Sequence, residues 1–352
     1  MLLVYYSGIA PNGNAALYVA VFTNDSAKGK LIDLGVSGAP ALVSGLLDTL
    51  AVNVARARKG VNTPPLEAGV ISKEGREALA KCAAYVGGPV GEMLQDLRRR
   101  GKRHLCIQPH GPLHFFPFHL LPSDAGVMAE EWTITYLPNL ALLDPTGQKA
   151  LVREVPIASF GIEFEKGVPH GLPKLPGADQ EARVVATAYG AEGKTGSEAT
   201  ETALMASLGK VRRIHVATHG LHKVSAPSFQ RVYLWPDADT DGILHAYEVL
   251  RSDLRGLDLL TLSACETSLG RIDISDNCWG LSANALIAGA ATVIGTLWPV
   301  ENSAAKSFFG FLHEKLAGGT EKREAFRMAQ EWTRSRHPQF RDWGAFCYSG
   351  RW

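Results

Sequence analysis

The chain has 352 residues, of which 46% are hydrophobic and 20% are charged. A chain of this length can bury the core of one large or two ordinary domains, so its size is compatible with an enzyme. The 36 lysine and arginine residues nearly balance 35 aspartate and glutamate residues. This balance excludes a general electrostatic argument for nucleic acid, an anionic membrane or an acidic partner.

The amino terminus and the cysteines bear on the cellular compartment. The opening MLLVYYSGIAPNG has no basic segment before its short apolar run, unlike a signal peptide, and no stretch reaches the ~20 apolar residues of a membrane span. The five cysteines are widely spaced and form no Cys-x-x-Cys pair, which argues against a disulfide framework and a zinc ribbon. We therefore expect a cytoplasmic protein with free thiols, no cofactor and no metal.

The first hundred residues contain a predicted extension and the first predicted helices of the main domain. Apolar runs in LLVYYSG and AALYVAVFT predict a strand pair, KGKLIDLG follows, and a helical pattern covers residues 40–59. Residues 66–100 predict two helices that end in the basic LRRRGK, which we interpret as a solvated helix end. The predicted domains are thus an extension at residues 1–60 and a main domain at 61–352.

From about residue 103, short apolar runs alternate with amphipathic segments. The runs are HLCIQP, WTITYLP, PIASFGI, RRIHVATHG, LDLLTLSAC and ATVIGTLWP, and the predicted helices cover residues 178–189, 198–208, 279–290, 303–317 and 321–335. This alternation predicts an α/β fold with a largely parallel sheet. The turn-rich LPKLPG is a candidate boundary between a half at 61–175 and a catalytic half at 176–352.

Two of these apolar runs end in a reactive side chain. His219 and Gly220 follow the predicted strand at 214–217, and Cys265 follows the one at 259–262. Ligands of open α/β sheets lie at the carboxyl ends of strands, so neighbouring strands would bring His219 and Cys265 together. Cys265 lies 46 positions after His219, which leaves room for a crossover helix and is close to the spacing of about 50 residues in caspases.

A cysteine beside a histidine suits nucleophilic catalysis. The imidazole can take the thiol proton and later protonate a leaving amine. Gly220 allows close backbone approach, so its N–H and that of Cys265 are predicted to form an oxyanion hole. A structural role is the better interpretation of the other four cysteines, which are Cys82, Cys106, Cys278 and Cys347.

These motifs resemble the CHAT family, caspase-like peptidases that often occur fused to tetratricopeptide repeats. HVATHG resembles the family's histidine motif and LLTLSACETSLG its cysteine motif, and similar segments cover residues 107–122, 175–186, 280–302 and 337–350. The resemblance implies a caspase-haemoglobinase-like three-layer α/β/α sandwich with a mostly parallel central sheet. It also implies a catalytic dyad of His219 and Cys265 that hydrolyses peptide bonds through a thioester acyl-enzyme.

The resemblance further implies a substrate pocket built partly by the loop after the last core strand. Ser263 stands where relatives that cleave after Lys or Arg have an aspartate, and we expect Glu301 or Asp273 to favour a basic or long side chain before the cleaved bond. Departures from the family pattern at Glu301-Asn302 and at residues 276–279 affect only this preference. The predicted substrate-binding residues are Ser263, Glu266, Asp273, Trp298, Val300 and Glu301.

Three kinds of function are compatible with the sequence. The leading one is a cysteine endopeptidase that cleaves a partner protein at limited sites. By resemblance, that partner is a pore-forming or signalling protein encoded nearby, in antiviral defence or cell death. The alternative is a catalytically silent interaction or scaffold module, against which the intact Cys265 and His219 argue. The third is an inactive zymogen in which loops 221–229 and 268–278 order on activation.

Overall fold

The structure is a computed structural model that describes residues 1–9, 15–23, 26–33, 73–86, 90–143, 155–165, 169–223, 225–273 and 276–351. The chain folds as two units. The first is Met1–Leu140 with Ile274–Asp276, and the second is Ala141–Asp273 with Asn277–Trp352. The predicted boundary at residues 175 and 176 lies inside the second unit, and the predicted helix at 40–59 lies outside the described residues.

The first unit is built on a mixed sheet. Its strands are β1 (Leu2–Ile9), β2 (Ala15–Thr23), β3 (Ser26–Asp33), β4 (His104–Gln108), β5 (Pro122–Ser123), β6 (Gly126–Val127) and β7 (Thr133–Tyr136), and its helices are α1 (Lys73–Val86), α2 (Gly91–Arg99) and α3 (Met128–Glu131). The order is β3-β2-β1-β4-β7. The β1–β2 and β2–β3 pairs are antiparallel, whereas β1–β4 and β4–β7 are parallel.

The second unit contains the strands that carry the candidate site. They are β8 (Val155–Gly161), β9 (Lys194–Thr195), β10 (Val211–Ala217), β11 (Gly220–Leu221), β12 (Arg231–Tyr233), β13 (Ile243–His245), β14 (Leu259–Ser263), β15 (Arg271–Ile272), β16 (Cys278–Trp279), β17 (Thr292–Thr296) and β18 (Phe346–Gly350). The main sheet has the order β18-β17-β14-β10-β8-β9. It is parallel except for the antiparallel pair of β17 and β18.

Helices cover both faces of this second sheet. They are α4 (Ala178–Thr187), α5 (Glu201–Ser207), α6 (Ala246–Arg251), α7 (Leu281–Ile287), α8 (Asn302–Ala317), α9 (Lys322–Arg336) and α10 (Phe340–Trp343). One apolar core packs Ile214 and Val216 of β10 against α5, α6 and α7. The opposite core packs α4, α8 and α9 on the other face. Side chains of a strand alternate between the two faces, so one sheet contributes to both cores. The predicted three-layer α/β/α arrangement is confirmed.

Local sequence explains how the longest helices begin and pack. Glu301 caps α8 by accepting hydrogen bonds from the N–H groups of Ser303 and Ala304, which satisfies donors that have no partner within the helix. Phe308 of α8 stacks on Phe346 of β18 with ring centroids 3.7 Å apart. Within the described residues, no helix is both long and apolar enough to cross a membrane.

Candidate active site

The parallel pairing of β10 with β14 brings the ends of the two strands together. Ala217 is aligned with Ser263, and the Thr218 N–H donates to the Ser263 carbonyl at 3.2 Å. His219 and Cys265 each lie two residues beyond this aligned pair. Adjacent strands are about 4.8 Å apart, so the register carries the imidazole and the thiol to the same end of the sheet.

Gly220 lies directly against the backbone of Cys265. A Cβ atom at Gly220 would lie 2.9 Å from the Cys265 carbonyl oxygen and 3.4 Å from its nitrogen. The first distance is shorter than real Cβ contacts, so this approach requires glycine. The backbone at His219, directly before Gly220, is also held in place, because the Tyr233 N–H donates to the His219 carbonyl at 3.0 Å. The two amides predicted to form the oxyanion hole therefore belong to touching backbone segments.

The imidazole of His219 has an orienting partner that the sequence did not reveal. Its Nε2 lies 2.7 Å from the carbonyl oxygen of Pro173. A carbonyl oxygen can only accept, so Nε2 carries the proton and donates it. In the neutral imidazole this leaves Nδ1 as the basic nitrogen. The Phe164 ring packs beside the imidazole at a centroid distance of 5.0 Å.

The segment that carries Pro173 is tied to the start of α4. The Leu175 N–H donates to the Glu163 carbonyl at 2.6 Å, and the Gly177 N–H donates to Glu163 Oε1 at 2.9 Å. The Glu163 N–H in turn donates to Asp179 Oδ1 at 3.0 Å. The LPKLPG connector is therefore an ordered part of the site, and its carbonyl is held in position to orient His219.

The turn that contains Cys265 has an unusual backbone conformation. Glu266 has φ +58°, a left-handed value that costs free energy for a residue other than glycine and persists only where neighbours hold it. Thr296 Oγ1 donates to the Ala264 carbonyl at 2.9 Å, and Gln230 Nε2 donates to the Glu266 carbonyl at 3.1 Å. Both ends of the turn are thus fixed by buried side chains to which the sequence analysis assigned no role.

A cavity of about 40 Å³ adjoins Cys265. The strand ends contribute Ser263, the loop before α8 contributes Val300, and the first turn of α4 contributes Glu181. Ser263 and Val300 are two of the predicted substrate-binding residues. Glu181 was not predicted, although its place in the motif LPGADQEA is a signal that could have drawn attention to it.

Comparison with known families identifies the family of this chain. The model of the CHAT domain matches residues 77–351. The chain belongs to the CHAT domain family. Tetratricopeptide repeat protein 28 of Mus musculus is 27% identical over 319 residues, and its Homo sapiens counterpart is 25% identical over 318 residues. Each match covers 76% of this chain, and the chain spans only 12% of the length of either relative.

Solved structures of caspase-like cysteine peptidases share the fold of this CHAT domain. The Arg specific cysteine proteinase gingipain R has a TM-score of 0.54 at 10% identity, covering 78% of this chain and 69% of its own. The Saccharomyces cerevisiae separase–securin complex has a TM-score of 0.53 at 11% identity, covering 99% of this chain and 30% of its own. At these identities the similarity establishes the fold alone.

The other four predicted substrate-binding residues of the CHAT domain are not among the described residues that line the cavity. The carboxylate of Glu301 caps α8. Asp273 Oδ2 accepts from Trp279 Nε1 at 2.9 Å, and Trp298 Nε1 donates to the Arg341 carbonyl at 2.8 Å. The remaining residue, Glu266, contributes its strained backbone to the cysteine turn. These contacts give each residue a local role, and their contribution to substrate binding stays a prediction.

The five cysteines of the CHAT domain differ in access. Burial raises the pKa of Cys82 and of Cys106 to about 11, and it raises the pKa of Cys347 further. These thiols are buried, whereas Cys265 and Cys278 are partly exposed. A protonated, buried thiol is neither nucleophilic nor accessible, so Cys278 is the natural control for any experiment on Cys265.

Proposed function

We propose that this CHAT domain is a cysteine endopeptidase with Cys265 as nucleophile and His219 as general acid and base. The observation that carries the proposal is the register of β10 and β14, which ends in His219 and Cys265 with Gly220 packed on the Cys265 backbone. Covalent catalysis requires a nucleophile, a base beside it and a group that orients the base. Pro173 supplies the orienting group through its carbonyl.

Each residue has a defined part in the proposed reaction. His219 Nδ1 takes the proton of the Cys265 thiol, and the thiolate attacks the peptide carbonyl carbon. The N–H groups of Gly220 and Cys265 donate to the resulting oxyanion. The imidazolium then gives its proton to the leaving amine, which departs and leaves a thioester. Water, deprotonated by His219, attacks the thioester and releases the acid and the thiol.

The proposed substrate is a partner protein cut at limited sites in the cytoplasm. Family resemblance supports a pore-forming or signalling protein encoded nearby, with a role in antiviral defence or cell death. The ordered cysteine turn and connector support a site that needs little rearrangement before catalysis. Loops 221–229 and 268–278 flank the dyad and are the proposed places where a partner or self-cleavage would regulate it.

Labelling with a peptidyl acyloxymethyl ketone tests the proposal, because this probe reacts with an activated thiol after binding as a substrate. We expect one adduct at Cys265 by peptide mass spectrometry in the wild type and in Cys278→Ala, and none in Cys265→Ala. Equal labelling of Cys265 and Cys278, or labelling of Cys265 that persists unchanged in His219→Ala, would contradict catalysis. Such a result would favour the silent interaction module.

A further inference from the structure

The cavity beside Cys265 has one ionisable side chain besides the thiol among the described residues that line it. This residue is Glu181, which lies in the first turn of α4 and is 4% exposed. Its Oε1 atom lies 3.2 Å from Nε2 of His215, which is fully buried. The two atoms are in close contact but are not aligned as a regular hydrogen bond. The charge of the cavity therefore depends on how many protons this pair holds.

The hydrogen bonds on the other side of the His215 ring fix the state of its Nδ1 atom. The Thr261 hydroxyl donates its single proton to the Ile214 carbonyl at 3.2 Å, so its oxygen is left to accept from other groups. His215 Nδ1 lies 2.9 Å from that oxygen and therefore carries a proton, which it donates. Nε2 of His313 lies 2.9 Å from the same oxygen and occupies its second acceptor position.

The net charge of the Glu181–His215 pair follows from this arrangement. A bare ring nitrogen and a carboxylate oxygen would repel each other at 3.2 Å, so one of the two facing atoms carries a proton. If Nε2 carries it, an imidazolium lies beside a carboxylate, and if Oε1 carries it, both groups are neutral. The net charge is zero in both arrangements. Burial, followed by the charges of His215 and Arg213, lowers the pKa of His313 well below its usual range, which agrees with an imidazolium at His215.

The rest of the described cavity wall is uncharged. It consists of small or apolar side chains and neutral polar groups, such as Leu175, Ala217, Val300, Ser263 and Asn302. Among these described residues, a lysine or arginine side chain of a substrate would meet no carboxylate that lacks a counter-ion. An aspartate or glutamate side chain would likewise meet no free cation. Burying a charge without a partner costs far more free energy than burying a methyl group.

We propose that this cavity takes an uncharged aliphatic side chain at the residue whose carbonyl Cys265 attacks, and that His215 makes the cavity neutral by pairing with Glu181. This inference rests on the proposed peptidase function. It replaces the expectation that Glu301 or Asp273 favours a basic side chain, because the carboxylates of both are bonded elsewhere. His215 acts through Glu181 and does not touch the substrate.

Four acyloxymethyl ketone probes that form two isosteric pairs test this inference. The residue before the reactive group is norleucine or lysine in the first pair, and glutamine or glutamate in the second. Within each pair the volume is nearly constant and only the charge changes. Mass spectrometry gives the rate of adduct formation at Cys265. We expect the norleucine probe to react about 10- to 100-fold faster than the lysine probe, and the glutamine probe to exceed the glutamate probe by a similar factor.

Removal of the counter-ion tests the role of the pair. In His215→Gln the carboxylate of Glu181 loses its cationic partner, so the norleucine-to-lysine rate ratio should fall about 10-fold or more. The double variant with Glu181→Gln is neutral again and should return toward the wild-type ratio. A ratio of two rates within one protein does not depend on the fraction of folded molecules. Loss of stability at this buried position therefore does not obscure the result.

Two further variants control for burial and reverse the preference. His313→Gln is the matched control, because His313 is equally buried and also bonds to Thr261 Oγ1, but it is not among the residues that line the cavity. It should keep the wild-type ratio. Ser263→Asp adds a carboxylate to the cavity wall, where the described lining offers it no counter-ion. We expect this variant to react faster with the lysine probe than with the norleucine probe.

The outcomes distinguish this inference from the peptidase proposal. If the lysine or glutamate probe labels Cys265 fastest in a His219-dependent manner, the peptidase proposal stands and the neutral cavity is wrong. An unchanged norleucine-to-lysine ratio in His215→Gln would equally overturn the inference, because the pair would then not set the charge of the cavity. If no probe labels Cys265 although iodoacetamide alkylates it, the peptidase proposal fails, and the substrate assignment fails with it.

Discussion

The strands β10 and β14 carry two facing polar pairs that differ in their surroundings. His215 and Thr261 are aligned in the sheet, fully buried and hydrogen-bonded at 2.9 Å. Four residues further along each strand, His219 and Cys265 lie beyond the last aligned pair and remain partly exposed. The same register therefore builds a buried, hydrogen-bonded polar pair in the interior and an accessible one at the sheet end.

This difference shows how position along a strand decides what a histidine does. The interior imidazole has packed neighbours and donor or acceptor partners, so its contribution is to stability. The terminal imidazole is oriented by a single carbonyl and keeps one nitrogen for chemistry. Variants of the terminal pair should affect reactivity, and variants of the interior pair and of the groups that bond to it should affect stability.

The largest effect is expected from the terminal pair. Cys265→Ala should abolish adduct formation, and His219→Ala should slow it by about 10²- to 10⁴-fold, the usual contribution of a general base. Urea unfolding should change by less than about 0.5 kcal/mol in either variant, as for other partly exposed positions. A His219→Ala protein that reacts at the wild-type rate would show that the thiol needs no base.

A smaller loss of reactivity is expected from Gly220→Ala. The added methyl group would overlap the Cys265 carbonyl oxygen, and a displacement of the nucleophile by a fraction of an ångström should lower the adduct rate by about 10- to 100-fold. Gly310→Ala is the matched control, because its Cβ meets only Val184 Cγ1 at 3.4 Å. Wild-type reactivity in Gly220→Ala would mean that the two backbone segments can separate at little cost.

The sequence predicted the parallel strands and the two residues at their ends, because both depend on local pattern. The apolar runs indicated the parallel strands β8, β10, β14 and β17, because buried strands between amphipathic helices have few other interpretations. Their carboxyl ends then singled out the histidine and the cysteine. Strand β18 appeared only as part of a closing segment, since a single antiparallel strand after two helices has no distinctive pattern.

The parts that the sequence did not predict depend on distant contacts. Pro173 acts through a backbone carbonyl, which every residue possesses, so its identity gives no signal. Gln230 reaches the cysteine turn from 36 positions away. Glu181 reaches the cavity from α4, the helix that follows β8. The predicted pocket residues Glu301 and Asp273 carry the charge that a pocket needs, but a helix cap and a hairpin use their carboxylates.

The interior pair extends to the buried His313, whose Nε2 lies 2.9 Å from Thr261 Oγ1, and it should respond to acid through this residue. Its pKa is depressed in the folded protein, whereas the unfolded chain titrates near 6.5. The unfolded state therefore binds more protons below that pH. The stability that comes from the neutral His313 is complete above pH 6.5 and is lost as the pH falls. We expect His313→Gln to lower the free energy of unfolding by about 1–3 kcal/mol at pH 7.5.

Measuring urea unfolding of both proteins from pH 7.5 to 5.5 checks this expectation. The difference between wild type and His313→Gln should narrow as the pH falls, because only the wild type loses the contribution of the neutral imidazole. Iodoacetamide alkylation of Cys265 at pH 7.5 should be the same in both, because His313 is fully buried beside Thr261, four positions before the cysteine. A difference that stays constant with pH would show that the pKa of His313 is the same in the folded and unfolded states.

The smallest effect is expected at Thr296, which joins the interior of the sheet to its reactive end. Its hydroxyl donates to the Ala264 carbonyl at 2.9 Å, and its N–H donates to Thr267 Oγ1 at 3.2 Å. Thr296→Val keeps the shape and the second bond but removes the first, which should cost about 1 kcal/mol of stability. Because Ala264 precedes Cys265, the loss should also loosen the turn and slow adduct formation by about 3- to 10-fold. Stopped-flow labelling beside urea unfolding separates the two effects: a stability loss with an unchanged adduct rate would place Thr296 with His215 and Thr261 in the structural group, and not with the site.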